Sequence, residues 1–377
     1  MIKKEKLNFD IGIAGAGVLG LFLFKQLSEL GYKTALFEKA DKLAIGPSTR
    51  NEGMIHRGTR HAVSTNNADV AKRIVSRSIY GHEIIKQYAP ESVNDIGVSF
   101  IAALTEKDDE KYIIDRWKEN QVSFIPISKK EFKRMVPEAN DKLVKKAFLV
   151  SDLSINTRIL YQKLLHQGIV SGGKVFTDSE FIARDIKEAD IVNSNGDIQR
   201  ISAKNFVITT GYNIGNIYKQ ITGDSLNVRF WKSHLIVLPR LAKHGLIFVG
   251  NGETITAHQG NNSIFGQWED ATVVEKPNNE PIKEKAQTVF EAGVRAFPGA
   301  QKYKDSYMPV ACIKPDIISS VNDARSVDVQ IFTPLENYIL ALPGKMTEAP
   351  FLANIILQMI FNSNSDSMIS ERPLDNY

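Results

Sequence analysis

Apolar and polar positions fall into distinct blocks along the first forty residues. FDIGIA, from Phe9 to Ala14, is a short continuous apolar run that fits a buried strand. LFLFKQLSELG then shows helical spacing and ends at Gly31, where a glycine stops the helix. KTALFEK reads as a second strand, ending at Glu38. Further on, VSFIAAL, WKSHLIVLP, GLIFVGNGETITAHQ and NSIFGQW read as strands separated by glycine, asparagine or proline turns. KVFTDSEFIARDI reads as an edge-like strand, and FVITTG, Phe206 to Gly211, as a returning one. A helix is expected from near Ala68, and a strongly apolar one over APFLANIILQMI. Strand–helix alternation at both ends with a strand-rich middle predicts an α/β chain of two interleaved domains.

Between the first strand and helix lies Gly15-Ala16-Gly17-Val18-Leu19-Gly20, and Glu38 follows Gly20 by 18 residues. This is strand, G-x-G-x-x-G, helix, strand, acid, the fingerprint of dinucleotide binding. Gly15 permits the tight turn, Gly17 the approach of a pyrophosphate, and Gly20 the packing of helix on strand. The helix N-terminus offers N–H groups and a positive dipole end to the phosphates, and Glu38 accepts from the adenosine ribose. The fingerprint alone does not separate FAD from NAD.

Composition changes this picture little. The 377 residues are 43% hydrophobic and 24% charged, an ordinary globular balance too long for one core. A net charge of +4 without a basic tail selects no partner, and nucleic acid is not expected. Cys312 is the only cysteine, which excludes internal disulfides and multi-cysteine metal sites and makes a reducing compartment the default. Lys3, Lys4 and Lys6 before the apolar stretch Ile11–Phe24 resemble a signal peptide. Against that, Asp10 abuts the stretch, glycines recur inside it, and no small-residue cleavage site follows. A cytoplasmic protein is expected; association with a membrane surface is open but not indicated.

The segment Ser48-Thr49-Arg50-Asn51-Glu52-Gly53-Met54-Ile55-His56-Arg57-Gly58 resembles the part of the D-amino-acid-oxidase superfamily that lies against the flavin. Its N-x-G-x-I-H-x-G pattern is most similar to the L-2-hydroxyglutarate oxidase and glycerol-3-phosphate dehydrogenase branches; the glycine and sarcosine oxidases are further members. Phe206–Gly211 resembles the family's returning strand, whose end (Thr210, Gly211) approaches the cofactor, and Phe181 the position whose backbone contacts adenine. Gly344-Lys345-Met346-Thr347 before a helix resembles the turn that points N–H groups at the flavin's N1–C2=O edge. An NAD dehydrogenase would have no reason to return to its cofactor there, so the resemblance implies FAD.

The resemblance implies a Rossmann-type FAD-binding domain over 1–85, 145–220 and 310–377, interleaved with a mixed-sheet α+β substrate domain over 86–144 and 221–309. It adds Lys39, Ser48, Thr49, Asn51, Gly53 and Met54 to the cofactor contacts already named, and no metal. The implied activity is oxidation of a small polar alcohol or 2-hydroxy acid, with oxygen or another electron acceptor; amine or amino-acid oxidation is the alternative. Such a reaction needs no nucleophile, only orientation of the substrate and acceptance of a proton. Candidates are His56, Arg60, His234, Gln267 and Tyr307, with Arg57, His258 and Trp268 as weaker ones. Pro309–Asp316 occupies the place of the family's Gly-x-Arg-Pro turn, with Cys312 for glycine and Lys314 for arginine, which weakens the case for an amino-acid carboxylate clamped there.

Overall fold

The computed structural model describes residues 6–94, 99–250, 254–267, 271–320 and 328–364. The chain divides into two compact units: residues 1–48, 161–230 and 314–377 form the first, and 49–160 and 231–313 the second. The segments 49–85, 145–160 and 310–313, expected with the first unit, therefore belong to the second. Residues 221–230 go the other way. The physical reason for the larger change is strand pairing: Met54–Ile55 pairs antiparallel with Ser154 and Leu153, at the end of the strand Lys146–Ser154.

The first unit is built on one sheet. Its strands run Gln330–Leu335, Tyr338–Leu342, Ile198–Ile208, Leu7–Ala14, Thr34–Phe37 and Lys174–Phe176 across the sheet. All but the first of these are parallel to their neighbours. The central strands are apolar toward their carboxyl ends, where both faces are covered: Ile11, Ile13 and Ala14 are buried, as are Phe206, Val207 and Ile208 and every residue of Tyr338–Leu342. The expected single strand KVFTDSEFIARDI is instead two, Lys174–Phe176 and Glu180–Ala183. Asp178 breaks it with a left-handed backbone (φ 49°) and ties itself to the Ser194 amide and hydroxyl. The Phe181 side chain lies in the core against Phe37 and Phe206.

The second unit is centred on a mixed sheet. Gly245–Phe248 runs parallel to Ser99–Leu104, while the pairs Val228–Pro239 with Asn262–Gly266, Ile255–Gln259 with Asn262–Gly266, and Ser99–Leu104 with Lys146–Ser154 are antiparallel. The long apolar segment expected from Gly245 to Gln259 is thus two strands, and residues 251–253 between them lie outside those described. One face of this sheet carries Ile236, Leu238, Leu246 and Phe265 against the helix Lys283–Ala296. The other carries Ile247, Ile255, Ala257, Phe100 and Ala102. Among the described residues no helix is long and apolar enough to cross a membrane.

Candidate active site

In the first unit the strand Leu7–Ala14 turns at Gly15, whose φ of 98° suits only glycine; a Cβ there would stand 2.6 Å from the Thr209 carbonyl oxygen. The helix Val18–Glu29 starts at Gly17 with no side-chain cap and no acid in its first turn, which leaves its positive end for an anion. A Cβ on Gly17 would reach only the Ser48 hydroxyl, at 3.1 Å, so the turn is open on that side. Ser48 accepts from the Val18 amide through its hydroxyl (2.9 Å). Glu38 accepts from the Ala16 amide (2.9 Å) and, through its other oxygen, from the Ala40 amide (3.1 Å). Each carboxylate oxygen keeps a second lone pair for a ribose hydroxyl.

The neighbouring strand Ile198–Ile208 leads into Thr209, which donates from its amide to Ala14 and from its hydroxyl to Gly15 (2.8 Å each). Thr210 follows with a buried hydroxyl that has no hydrogen-bond partner among the described residues. A buried hydroxyl left in that state costs free energy unless a ligand or water completes it. Gly211 (φ 57°) opens the chain beyond. After Tyr338–Leu342 the backbone turns at Gly344 (φ 63°), and Thr347 is fully buried at the approach to the helix Ala349–Asn364. Tyr161 connects the two regions by donating to the Ser48 carbonyl (2.7 Å) and touching the Met346 sulfur at 3.2 Å. Burial pushes its phenol far above the ordinary tyrosine value, which keeps it a donor. Lys39 is exposed and its ammonium pairs with Glu180 (2.8 Å).

In the second unit Asn51 accepts from the Gly53 amide (2.9 Å), and Gly53 takes a left-handed conformation (φ 67°). A Cβ on Gly53 would stand 1.5 Å from the Gln259 amide nitrogen, so the turn demands glycine and a larger residue would have to displace the Gln259 side chain. Met54 is buried, Thr49 is half-buried, and the short strand Met54–Ile55 delivers His56, whose side chain is 18% exposed. His56 Nδ1 stands 3.8 Å from a carboxylate oxygen of Asp152. Asp152 is buried and accepts from the Arg57 amide (2.9 Å) and from the Thr59 hydroxyl. Burial pushes its carboxyl upward, but His56, Thr59 and the Arg57 amide outweigh it and hold it below the usual carboxylate range. The His61 ring meets His56 edge-on at 4.7 Å. Behind them His82 faces the Ile55 carbonyl through Nδ1 (3.2 Å), and burial lowers its pKa.

Several residues expected to face a substrate take other places. Arg60 is buried and its guanidinium donates to the carbonyls of Phe248, Val249 and Gly250, so it staples a strand end. His234 is buried on the sheet face that carries Ile236, and its Nε2 accepts from the Ile282 amide (3.0 Å). Strand alternation places it on that face, where Lys232 likewise holds Asn278 and the Glu280 carbonyl. Tyr307 stacks on Phe290 (4.6 Å) and bonds Gln287. His258 is buried between Ser263 and the His244 carbonyl. Gln267 is half-buried just past the strand Asn262–Gly266, and Trp268 lies outside the described residues. Arg57 pairs with Glu83 (3.1 Å).

The structure also supplies residues that pattern reading passed over. Asp152 sits in the alternating strand KAFLVSDLS, where an acid in a buried register was the available signal. Tyr161 stands at the start of a helix and carried no such mark.

The FAD dependent oxidoreductase family DAO matches residues 10–341. The chain belongs to this family. It is an FAD-dependent oxidoreductase, and the glycine turn, Glu38 and the buried Thr210 hydroxyl fit that cofactor. A component of the anaerobic glycerol-3-phosphate dehydrogenase of Haemophilus influenzae is 27% identical over 177 residues, 47% of this chain and 30% of that protein's length. Glycine oxidase from Geobacillus kaustophilus superposes with a TM-score of 0.74 at 15% identity, covering 95% of each chain. L-alpha-glycerophosphate oxidase from Mycoplasma pneumoniae, with FAD bound, gives 0.73 at 15% identity over 94% of this chain and 95% of that one. At these identities the likeness to the solved structures is one of fold. Among the described residues no group of three His, Cys, Asp or Glu side chains could hold a metal ion.

Proposed function

We propose that this enzyme oxidises a small polar alcohol or 2-hydroxy acid to the carbonyl compound, with His56 as the base. The observation that carries the reading is the half-buried imidazole of His56 backed at 3.8 Å by the ionised Asp152. FAD, when bound, supplies the acceptor for the hydride at its N5. As the C–H hydrogen leaves with two electrons, the donor's hydroxyl proton must also leave, and His56 takes it; the products are a carbonyl and an imidazolium facing Asp152. An amine bound as the free base can lose hydride with its own lone pair assisting and has less need of such a pair. The likeness to the glycerol-3-phosphate dehydrogenase component supports the same donor class. The fold likeness to glycine oxidase keeps a CH–NH donor as the second reading.

The first unit is assigned the FAD and the second the substrate, a small polar molecule, with oxygen or another acceptor reoxidising the flavin. Mixing the holoenzyme anaerobically with panels of hydroxy acids, polyols and amines, and following flavin absorbance, tests the donor class. Bleaching by hydroxy compounds alone is the expected result. Bleaching by amines alone overturns it.

A further inference from the structure

Four adjacent parallel strands of the first unit end in a row. Thr34–Phe37 leads to Glu38, Leu7–Ala14 to the glycine turn, Ile198–Ile208 to Thr210, and Tyr338–Leu342 to the turn at Gly344–Glu348. Ligands of open α/β sheets lie outside such carboxyl ends. If Glu38 holds the adenosine ribose and the glycine turn the pyrophosphate, residues 344–348 at the far end of the row would hold the redox end of the cofactor. Hydrogen bonding ties the same regions together, from the Val18 amide to Ser48 and from Ser48 through Tyr161 to Met346.

At that end the Lys345 ammonium meets a carboxylate oxygen of Glu348 at 2.9 Å, with side chains 10% and 0% exposed. A hydride carries two electrons and one proton, so the flavin gains one negative charge on reduction. A nearby ammonium favours the reduced state and a nearby carboxylate opposes it. In a poorly hydrated position both effects are stronger than in water.

We propose that Glu348 masks Lys345, so that the flavin potential is lower than the lysine and the start of the following helix alone would set it. This rests on the assignment of the flavin half to the carboxyl end of Tyr338–Leu342, and it is independent of the donor class. Pairing the two charges offsets their fields at the ring, whereas neutralising either one tips the balance toward the other.

The test is the midpoint potential of bound flavin, measured without substrate on the purified holoenzyme and on Glu348→Gln, Lys345→Gln and the double variant. Glu348→Gln is expected to raise the potential and Lys345→Gln to lower it. Each change should be about tenfold in the reduced-to-oxidised ratio, or about 30 mV for a two-electron couple. The double variant should return close to the parent, and Lys345→Arg, which keeps the charge, should stay there. If one single variant fails to retain flavin, the sign of the other with the Arg variant still decides. Shifts in the same direction, or none in either single variant, overturn the proposal. A wrong donor class would appear only in the bleaching experiment and leave these potentials unchanged.

Discussion

A Cβ on Gly20 would stand 2.0 Å from the carbonyl oxygen of Gly15. The helix that follows the glycine turn is therefore seated backbone to backbone, and the geometry of the turn depends on that seat. Gly20→Ala should push the helix off the turn, an overpacking cost of about 1–3 kcal/mol. Because the same shift misplaces the N–H groups expected at the pyrophosphate, bound FAD should fall by about an order of magnitude in affinity. Flavin content of the purified variant, against a Gly46→Ala control whose Cβ meets nothing within 4 Å, checks this.

His56 tests the chemistry. His56→Asn should retain flavin yet lose about 10²- to 10⁴-fold in kcat, the usual worth of a general base. A variant that keeps near-normal turnover with hydroxy donors would show that the proton goes elsewhere.

Asp152 tests the support behind it. Asp152→Ala leaves the Arg57 amide and the Thr59 hydroxyl without their buried acceptor and should cost about 1–3 kcal/mol of stability or more. The sign with pH follows from its lowered pKa. An acid held below its unfolded value contributes stability above the ordinary carboxylate range and loses it as pH falls through the folded value. Denaturant melts of parent and Asp152→Asn between neutral pH and pH about 3, below the ordinary aspartate value, should converge toward the acid end.

His258 governs a different window. Burial lowers its pKa from 6.5 to about 4, with Nε2 on the His244 carbonyl and Nδ1 on the Ser263 hydroxyl. Between those values the unfolded chain binds a proton that the folded one refuses, so stability rises with pH there and is lost on acidification from 6.5 toward 4. Two and a half units correspond to about 3 kcal/mol. His258→Gln should flatten that limb in urea titrations, at some cost near neutrality from imperfect hydrogen bonds.

The dinucleotide fold was readable in the sequence because glycines report backbone constraints directly. Gly15 and Gly20 are required by contacts within a few residues or across one strand, and the acid at Glu38 follows at a fixed interval. The second unit was less legible. His234 is a polar residue on an apolar strand and Arg60 lies in the turn after His56, and either placement suits a buried staple as well as a ligand contact. Which one holds depends on partners such as Ile282 and Phe248, 48 and 188 residues away. Asp152 was missed for the same reason, since its partners Arg57 and Thr59 come from a loop 95 and 93 residues earlier.

Gly53 and Gln259 make a coupled pair. Gly53→Ala combines a left-handed backbone with a clash against the Gln259 amide and should cost roughly 2 kcal/mol or more. Adding Gln259→Ala should relieve the clash but not the backbone strain. A double-mutant cycle in denaturant melts should therefore show a coupling of about 0.5–1 kcal/mol or more.

The strand Tyr338–Leu342, buried at every position, is joined in parallel to Ile198–Ile208, which in turn pairs with Leu7–Ala14. Three neighbours in one sheet thus come from widely separated stretches of the chain. During synthesis the N-terminal glycine turn emerges first but must wait for its distant companions. Until residues near 342 have left the ribosome, the nascent chain has an unfinished sheet with an exposed edge. Such non-local pairing forms slowly, so the row of strand ends that carries the glycine turn is completed late in folding.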